Sequence, residues 1–235
     1  MAERVFAFVF ARGGSKGLPR KNVKLLDGIP LLAHSIRCAN SLPAVERVFV
    51  STDDAEIAAV AREWNAEVID RPPELATDQA SEWLAWRHAI QAATGKAGPF
   101  DVFLSLPATS PLRSTEDVSA CLEALSPESD IVITVTPAAR SPYFNMVVRD
   151  TDGRSRLCIE TSPLARRQDS PPVFDITTVA YVTRPTFVMN NDRLFSGTVT
   201  SVIVPRERAA DVDDALDFQW CEFLVRQRKD NSHAK

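Results

Sequence analysis

The chain has 235 residues, 45% of them hydrophobic and 25% charged, proportions of a soluble globular protein with room for one large α/β core. Its formal net charge of −4 argues against a broad basic face for nucleic acid, so any anion site must be local. No stretch approaches the roughly 20 apolar residues of a membrane span, "MAERVFAFVF" is too short an apolar run for a secretory signal, and Cys38, Cys121, Cys158 and Cys221 form no C-x-x-C pair; a cytoplasmic protein with reduced thiols is expected.

Val5–Phe10 reads as a strand buried on both faces. The loop "ARGGSKGLPRKN" follows, combining glycines with Arg12, Lys16, Arg20 and Lys21. Glycines let successive backbone N–H groups approach a ligand, and the added cations suit a polyphosphate. Neither G-x-x-x-x-G-K-[ST] nor G-x-G-x-x-G is present, so the loop is either a different anion cradle or a solvated basic surface. Pro30 to Leu42 has helical spacing, with proline in its first turn. Val48–Ser51 is a second strand, and Thr52 or Asp53 is expected to cap the helix after it.

Ala66–Asp70 is a short third strand ending at Arg71, which either meets a ligand or lies on the surface. A helix from about Asp78 to Thr94 is expected to open at Thr77 or Asp78, with Asp78 as a cap and Ser81 close by. Val102–Leu106 is a fourth strand. Thr109 and Ser110 offer hydroxyls beyond it, and Arg113 either binds an anion or braces the loop. A helix over Thr115–Leu125 and a strand over Ile131–Val135 complete a strand–helix alternation of roughly 30-residue period. This predicts a mostly parallel sheet with right-handed crossovers, helices on both faces and ligands beyond the strands' carboxyl ends.

The rhythm breaks after Thr136. Residues 137–175 read as an inserted extended or hairpin segment, with "RDTDGR" as its turn and the Arg166–Arg167 pair near its end. Paired arginines suit a carboxylate, or they are simply solvated. Strands return at Val179–Val182 and Val199–Val204. Asp213–Gln227 is the last helix, and residues 229–235 form a polar tail behind a single domain over 1–228. In "ADVDDALDF", Asp211 and Asp213 alternate, so on extended backbone they share one side and make a hard-oxygen pair for Mg2+; the other reading is that Asp213 or Asp214 caps the last helix. His34, His88 and His233 have no metal or triad spacing, and Trp83 and Trp86 read as packing.

Taken in order, "ARGGSKGLPRKN", "VSTDDAEIAAVA", "RPPELATDQAS", "LPATSPLRSTEDV", "RRQDSPPVFDITTVAYV" and "ADVDDALDF" resemble the CMP-sialic acid synthetase (acylneuraminate cytidylyltransferase) family over about residues 5–220. The resemblance implies a Rossmann-like nucleotidyltransferase fold with a small inserted dimerisation segment. It implies an enzyme using CTP and Mg2+, in which the anomeric hydroxyl of an acidic 3-deoxy-2-ulosonic sugar attacks the α-phosphorus to give CMP-sugar and pyrophosphate. On it, Arg12, Gly13, Gly14, Ser15, Lys16, Lys21, Asn22, Arg71 and Ser81 match nucleotide-binding positions. Thr109, Ser110, Arg166 and Arg167 match the sugar side, and Asp211 and Asp213 the metal. Catalysis would fall to Arg12, Lys16, Lys21 and Asp211, because phosphoryl transfer is mainly positioning and charge stabilisation. A homodimer is implied, with the insert of one copy reaching the other's site. Pro107, Phe144 and Thr177–Thr178 depart from the sialate relatives, which leaves the sugar open among the nonulosonates and Kdo-type acids. A sugar phosphate acceptor, or a non-catalytic nucleotide-binding homologue, is the alternative.

Overall fold

A computed structural model describes residues 3–160 and 170–233. The chain runs through β1 (Val5–Phe10), a short hairpin of β2 (Leu25–Leu26) and β3 (Ile29–Pro30), α1 (Leu31–Asn40), β4 (Val45–Thr52), α2 (Ala55–Glu63), β5 (Glu67–Asp70), α3 (Glu82–Ala97), β6 (Val102–Ser105) and α4 (Thr115–Ala124). It continues through β7 (Ile131–Pro137), β8 (Val147–Arg149), β9 (Ser155–Leu157), β10 (Phe174–Thr183), α5 (Pro185–Asn190), β11 (Val199–Ile203) and α6 (Ala215–His233). Among the described residues the main sheet has the order β11-β7-β10-β6-β1-β4-β5. Its pairs are parallel except at β10, which runs antiparallel to both β6 and β7. The alternation of strands and helices therefore produced the expected mostly parallel, Rossmann-like sheet.

The central strand explains the two layers. On β1, Val5, Ala7 and Val9 join a core with α1, α2 and α4, while Phe6 and Phe8 join an aromatic core with Phe49, Phe103, Trp83 and Trp86. Alternate side chains leave opposite faces of a strand, so β1 serves both cores. The Phe8 ring stands 4.7 Å from Phe103 and 5.5 Å from Phe49, an offset-stacked geometry. Trp83 and Trp86 pack here, as their spacing suggested. A third cluster joins the β2–β3 hairpin to α6 through Leu26, Leu31, Val212 and Phe218. This packing brings residues 211–214 beside the opening loop.

Several boundaries differ from expectation: β10 begins at Phe174, within the expected insert, rather than at Val179. The cap of α2 is Asp54, whose carboxylate accepts from the Glu56 and Ile57 N–H groups; Thr52 ends β4 and Asp53 is drawn to the glycine loop. Helix α3 begins at Glu82 rather than near Asp78, because the Asp78 carboxylate is taken by cations of that loop. Helix α6 runs to His233, so residues 229–233 belong to a helix rather than a tail; Lys229 reaches Asp27 at 2.6 Å. The inserted segment contains the expected hairpin, β8 paired with β9 around a turn at Asp150–Gly153.

Candidate active site

The candidate residues lie along the edge where β1, β4, β5 and β6 end. The strand order reverses beside β1, and such a switch point opens a crevice. The glycine loop leaves β1 there and is pinned from several sides. The Gly13 N–H donates to Asp53 Oδ1 at 3.0 Å, and Asn22, which is buried, donates to the Arg12 carbonyl at 3.0 Å. A Cβ at Gly13 would sit 2.8 Å from Asp54 Oδ2, and one at Gly17 would overlap the Asp213 carbonyl. These two glycines permit close approach. Gly14 is open on all sides, and Ser15 donates its N–H back to the Gly13 carbonyl at 3.2 Å.

The loop cations meet acids from elsewhere in the chain. Arg12 Nη1 is 2.6 Å from Asp78 Oδ1, and Lys16 Nζ pairs with the other oxygen of the same carboxylate. Lys16 first, then Arg12, holds the Asp78 carboxyl below the usual carboxylate range. Arg20, half-exposed, pairs with Asp54 at 2.8 Å and with Glu56. Lys21 is directed differently. Its Nζ donates to the Val212 carbonyl at 2.5 Å and lies 3.3 Å from Asp213 Oδ1. The basic loop and the acid-x-acid segment thus meet in the fold.

Arg71 is buried, not a surface arginine. Its Nε donates to Ser51 Oγ at 3.1 Å and Nη2 to the Ser51 carbonyl at 2.7 Å, over the Phe10 ring. Burial lowers its pKa. Arg71, Phe10, Arg12, Thr77, Asp78 and Glu82 line a cleft of about 250 Å³ between the loop and α3. Ser81 occupies the N-cap position of α3 without a side-chain cap bond.

On the far side of Lys21, the Thr109 carbonyl accepts from the Val212 N–H at 2.8 Å. Ser110 Oγ and Thr178 Oγ1 are 2.6 Å apart. Asp211 lies beside them. Burial pushes its carboxyl up, the Thr109 hydroxyl opposes this, and Asp213 adds to it. Its Oδ1 is buried with no hydrogen-bond partner. A buried acceptor left unpaired is costly, and a cation would satisfy it. Among the described residues no cluster of three or more His, Cys, Asp or Glu side chains could cage a metal. Two carboxylates nevertheless suit Mg2+, which keeps waters and takes phosphate oxygens as its remaining ligands. Asp214 and Asp217 serve the helix: Asp214 Oδ1 accepts from the Leu216 and Asp217 N–H groups, and Asp217 Oδ2 from those of Asp213 and Asp214.

A family model described as cytidylyltransferase matches residues 6–173. The chain belongs to the cytidylyltransferase family. It is therefore a nucleotidyltransferase, and the CMP-sialic acid synthetase resemblance falls within that family. It is 31% identical over 227 residues to post-translational flagellin modification protein B of Campylobacter coli, covering 95% of this chain and 96% of that protein. It is 30% identical to CMP-N,N'-diacetyllegionaminic acid synthase of Campylobacter jejuni, covering 96% of both. A solved structure of CMP:2-keto-3-deoxy-manno-octonic acid synthetase complexed with CTP shares the fold, with a TM-score of 0.70 and 17% identity over 96% of this chain and 99% of that one.

Arg166 and Arg167 lie outside the described residues. Of the departures from sialate relatives, Pro107 uses its carbonyl to accept from Ser35 Oγ at 3.1 Å, Thr177 Oγ1 bonds Thr134 Oγ1 at 2.7 Å, and Phe144 is exposed on the insert. Of the two readings of Arg113, the brace is the one observed. Sequence reasoning missed Asp53, Asp54 and Asp78 as partners of the loop, since nothing local marks which cation an acid will meet.

Proposed function

We propose that this enzyme transfers the cytidylyl group of CTP to an acidic 3-deoxy-2-ulosonic sugar of the sialic-acid-like nonulosonate class, releasing pyrophosphate. The observation that carries the proposal is the meeting of the two half-sites: Lys21 of the glycine loop on Val212 and Asp213, beside the unpaired Asp211 oxygen. The likeness to a protein named CMP-N,N'-diacetyllegionaminic acid synthase supports the acceptor class.

On this reading, Arg12, Ser15, Lys16, Lys21 and the N–H groups of Gly13 and Gly14 hold the triphosphate, with Asn22 fixing the loop from below. Arg71 and Ser81 face the nucleoside in the cleft beside α3. Phosphate oxygens displace Asp78 from Arg12 and Lys16, exchanging one anion for another. The sugar lies against Thr109 and Ser110. Arg166 and Arg167 take its carboxylate, an assignment made by the resemblance alone. Asp211 and Asp213 would hold Mg2+, which supplies charge neutralisation at the phosphates and lowers the pKa of a bound hydroxyl. The anomeric oxygen bonds to the α-phosphorus, its proton passes to water, and the bond to pyrophosphate breaks. The loop cations and Lys21 stabilise the charge that develops on the departing pyrophosphate. The insert over 137–175 joins two copies of the chain, and the four free cysteines suit a cytoplasmic setting.

Two measurements test this together. Thermal shift with CTP, UTP, GTP and dTTP should show CTP-selective stabilisation. A panel of ulosonic acids with CTP and Mg2+ should identify an acid that releases pyrophosphate. Equal shifts with all four nucleotides, or release only with neutral sugar phosphates, would sink the proposal.

A further inference from the structure

Strand β10 breaks its pairing with β7 beside the site. Thr177 faces Thr134 and Tyr181 faces Ile133, so one step on β7 spans four on β10, and residues 178–180 bulge. Backbone groups freed in this way must find partners, because they are buried. Thr134 Oγ1 provides some: it accepts the Ala180 N–H at 3.2 Å and lies 3.3 Å from the Thr177 and Ala180 carbonyls. Arg113, only 7% exposed, serves two of the carbonyls. Its Nε donates to the Val179 carbonyl at 2.7 Å and Nη2 to that of Thr178 at 3.3 Å. The same guanidinium donates to Ser35 Oγ and the Pro107 carbonyl, each at 2.5 Å.

One buried cation therefore ties together α1, the loop after β6 and the bulge of β10. Among the described residues it has no salt-bridge partner. Burial brings its pKa down to about 10, the mark of a charge held against a desolvation cost. A brace for stability alone could avoid that cost with neutral side chains. What the brace fixes is chemical: the Ser110 and Thr178 hydroxyls, 2.6 Å apart, and through Thr109 the segment carrying Asp211. We infer that Arg113 is a positioning residue, and that the β10 bulge it closes exists to hold Thr109, Ser110 and Thr178 in register with Asp211. The inference rests on the proposed placement of the acceptor along this edge.

The test uses Arg113→Lys, which keeps the charge but loses the planar fork, and Thr134→Val, which removes the second clasp at nearly constant volume. Acceptors are drawn from a panel of ulosonic acids and sugar phosphates, so failure of the acidic-sugar reading still leaves an acceptor to measure. Both variants should raise the acceptor KM about tenfold or more while the KM for CTP stays within about twofold, since a small misplacement is enough for such losses. Equal movement of both constants, or movement of neither, would overturn the inference. If Arg113→Lys does not fold, Thr134→Val alone decides. If no acceptor in the panel turns over, the acceptor placement fails, and the positioning role is read from Mn2+ binding to the CTP complex by electron paramagnetic resonance. Weaker binding in both variants supports it, and unchanged binding overturns it.

Discussion

Asp211 holds a buried oxygen with no hydrogen-bond partner, a few residues before Asp214 and Asp217, whose carboxylates accept from backbone N–H groups at the start of the next helix. Asp211→Asn should lower pyrophosphate release about 100-fold or more, the scale of losing a main electrostatic group at a transferring phosphoryl. The thermal shift with CTP alone, without Mg2+, should persist. Near-normal release would remove Asp211 from the proposed metal site. Gly17 tests the junction of the half-sites. In Gly17→Ala the new methyl meets the Asp213 backbone, which cannot swing aside as a side chain would. The loop and residues 211–214 must separate, so the KM for CTP should rise and Tm should fall. An unchanged KM would show that this approach is not needed. At this scale the loop cations and the Asp211–Asp213 pair were legible as candidates because they sit in compact motifs. The acids facing them were not. Asp78 reads as a cap from its place before a helix, but Arg12 and Lys16 compete for it with full charges.

At the scale of elements, α4 shows how a helix start is tied to the rest of the fold. Ser114 and Asp117 form a capping box, and the buried Asp117 also receives Arg208 in a two-pronged pair, 2.8 Å on each side. Burial pushes the Asp117 carboxyl up, but Arg208 and the Ser114 N–H outweigh this and hold it below the usual range. A depressed carboxylate contributes stability that is complete above its unfolded pKa and is lost as pH falls through the folded value. Asp117→Asn should therefore cost about 1.5–3 kcal/mol at neutral pH, as for hydrogen bonds to charged groups. The deficit should shrink below about pH 4, near the ordinary aspartate value. Thermal melts from neutral to acid pH check this; a constant deficit would mean the charge is not what matters. The strands and helices themselves were readable from period and turn residues. The bulge in β10 was not, since the sequence marks only Val179–Val182 as a strand and the extra residues show only in the pairing with β7.

For the whole molecule, the exposed apolar residues Met146, Val147, Val148, Phe174 and Ile176 gather on the insert and the adjoining start of β10. A second copy of the chain covering them is the proposed dimer. Val147→Asp with Ile176→Glu should shift the sedimentation coefficient from dimer to monomer and reduce turnover, since each site is expected to borrow residues from the other copy. A wild-type monomer would refute the arrangement. The sequence by itself determined the alternating α/β architecture, the glycine-rich basic loop and the acid pair, because period, turn chemistry and motif spacing are local properties of a chain. Only the tertiary structure decided that Lys21 meets Val212, 191 residues away, that Asp78 serves the loop, and that Arg113 is a brace. Those outcomes depend on which charges and freed backbone groups are brought within hydrogen-bonding distance, and that is fixed by the order of strands in the sheet.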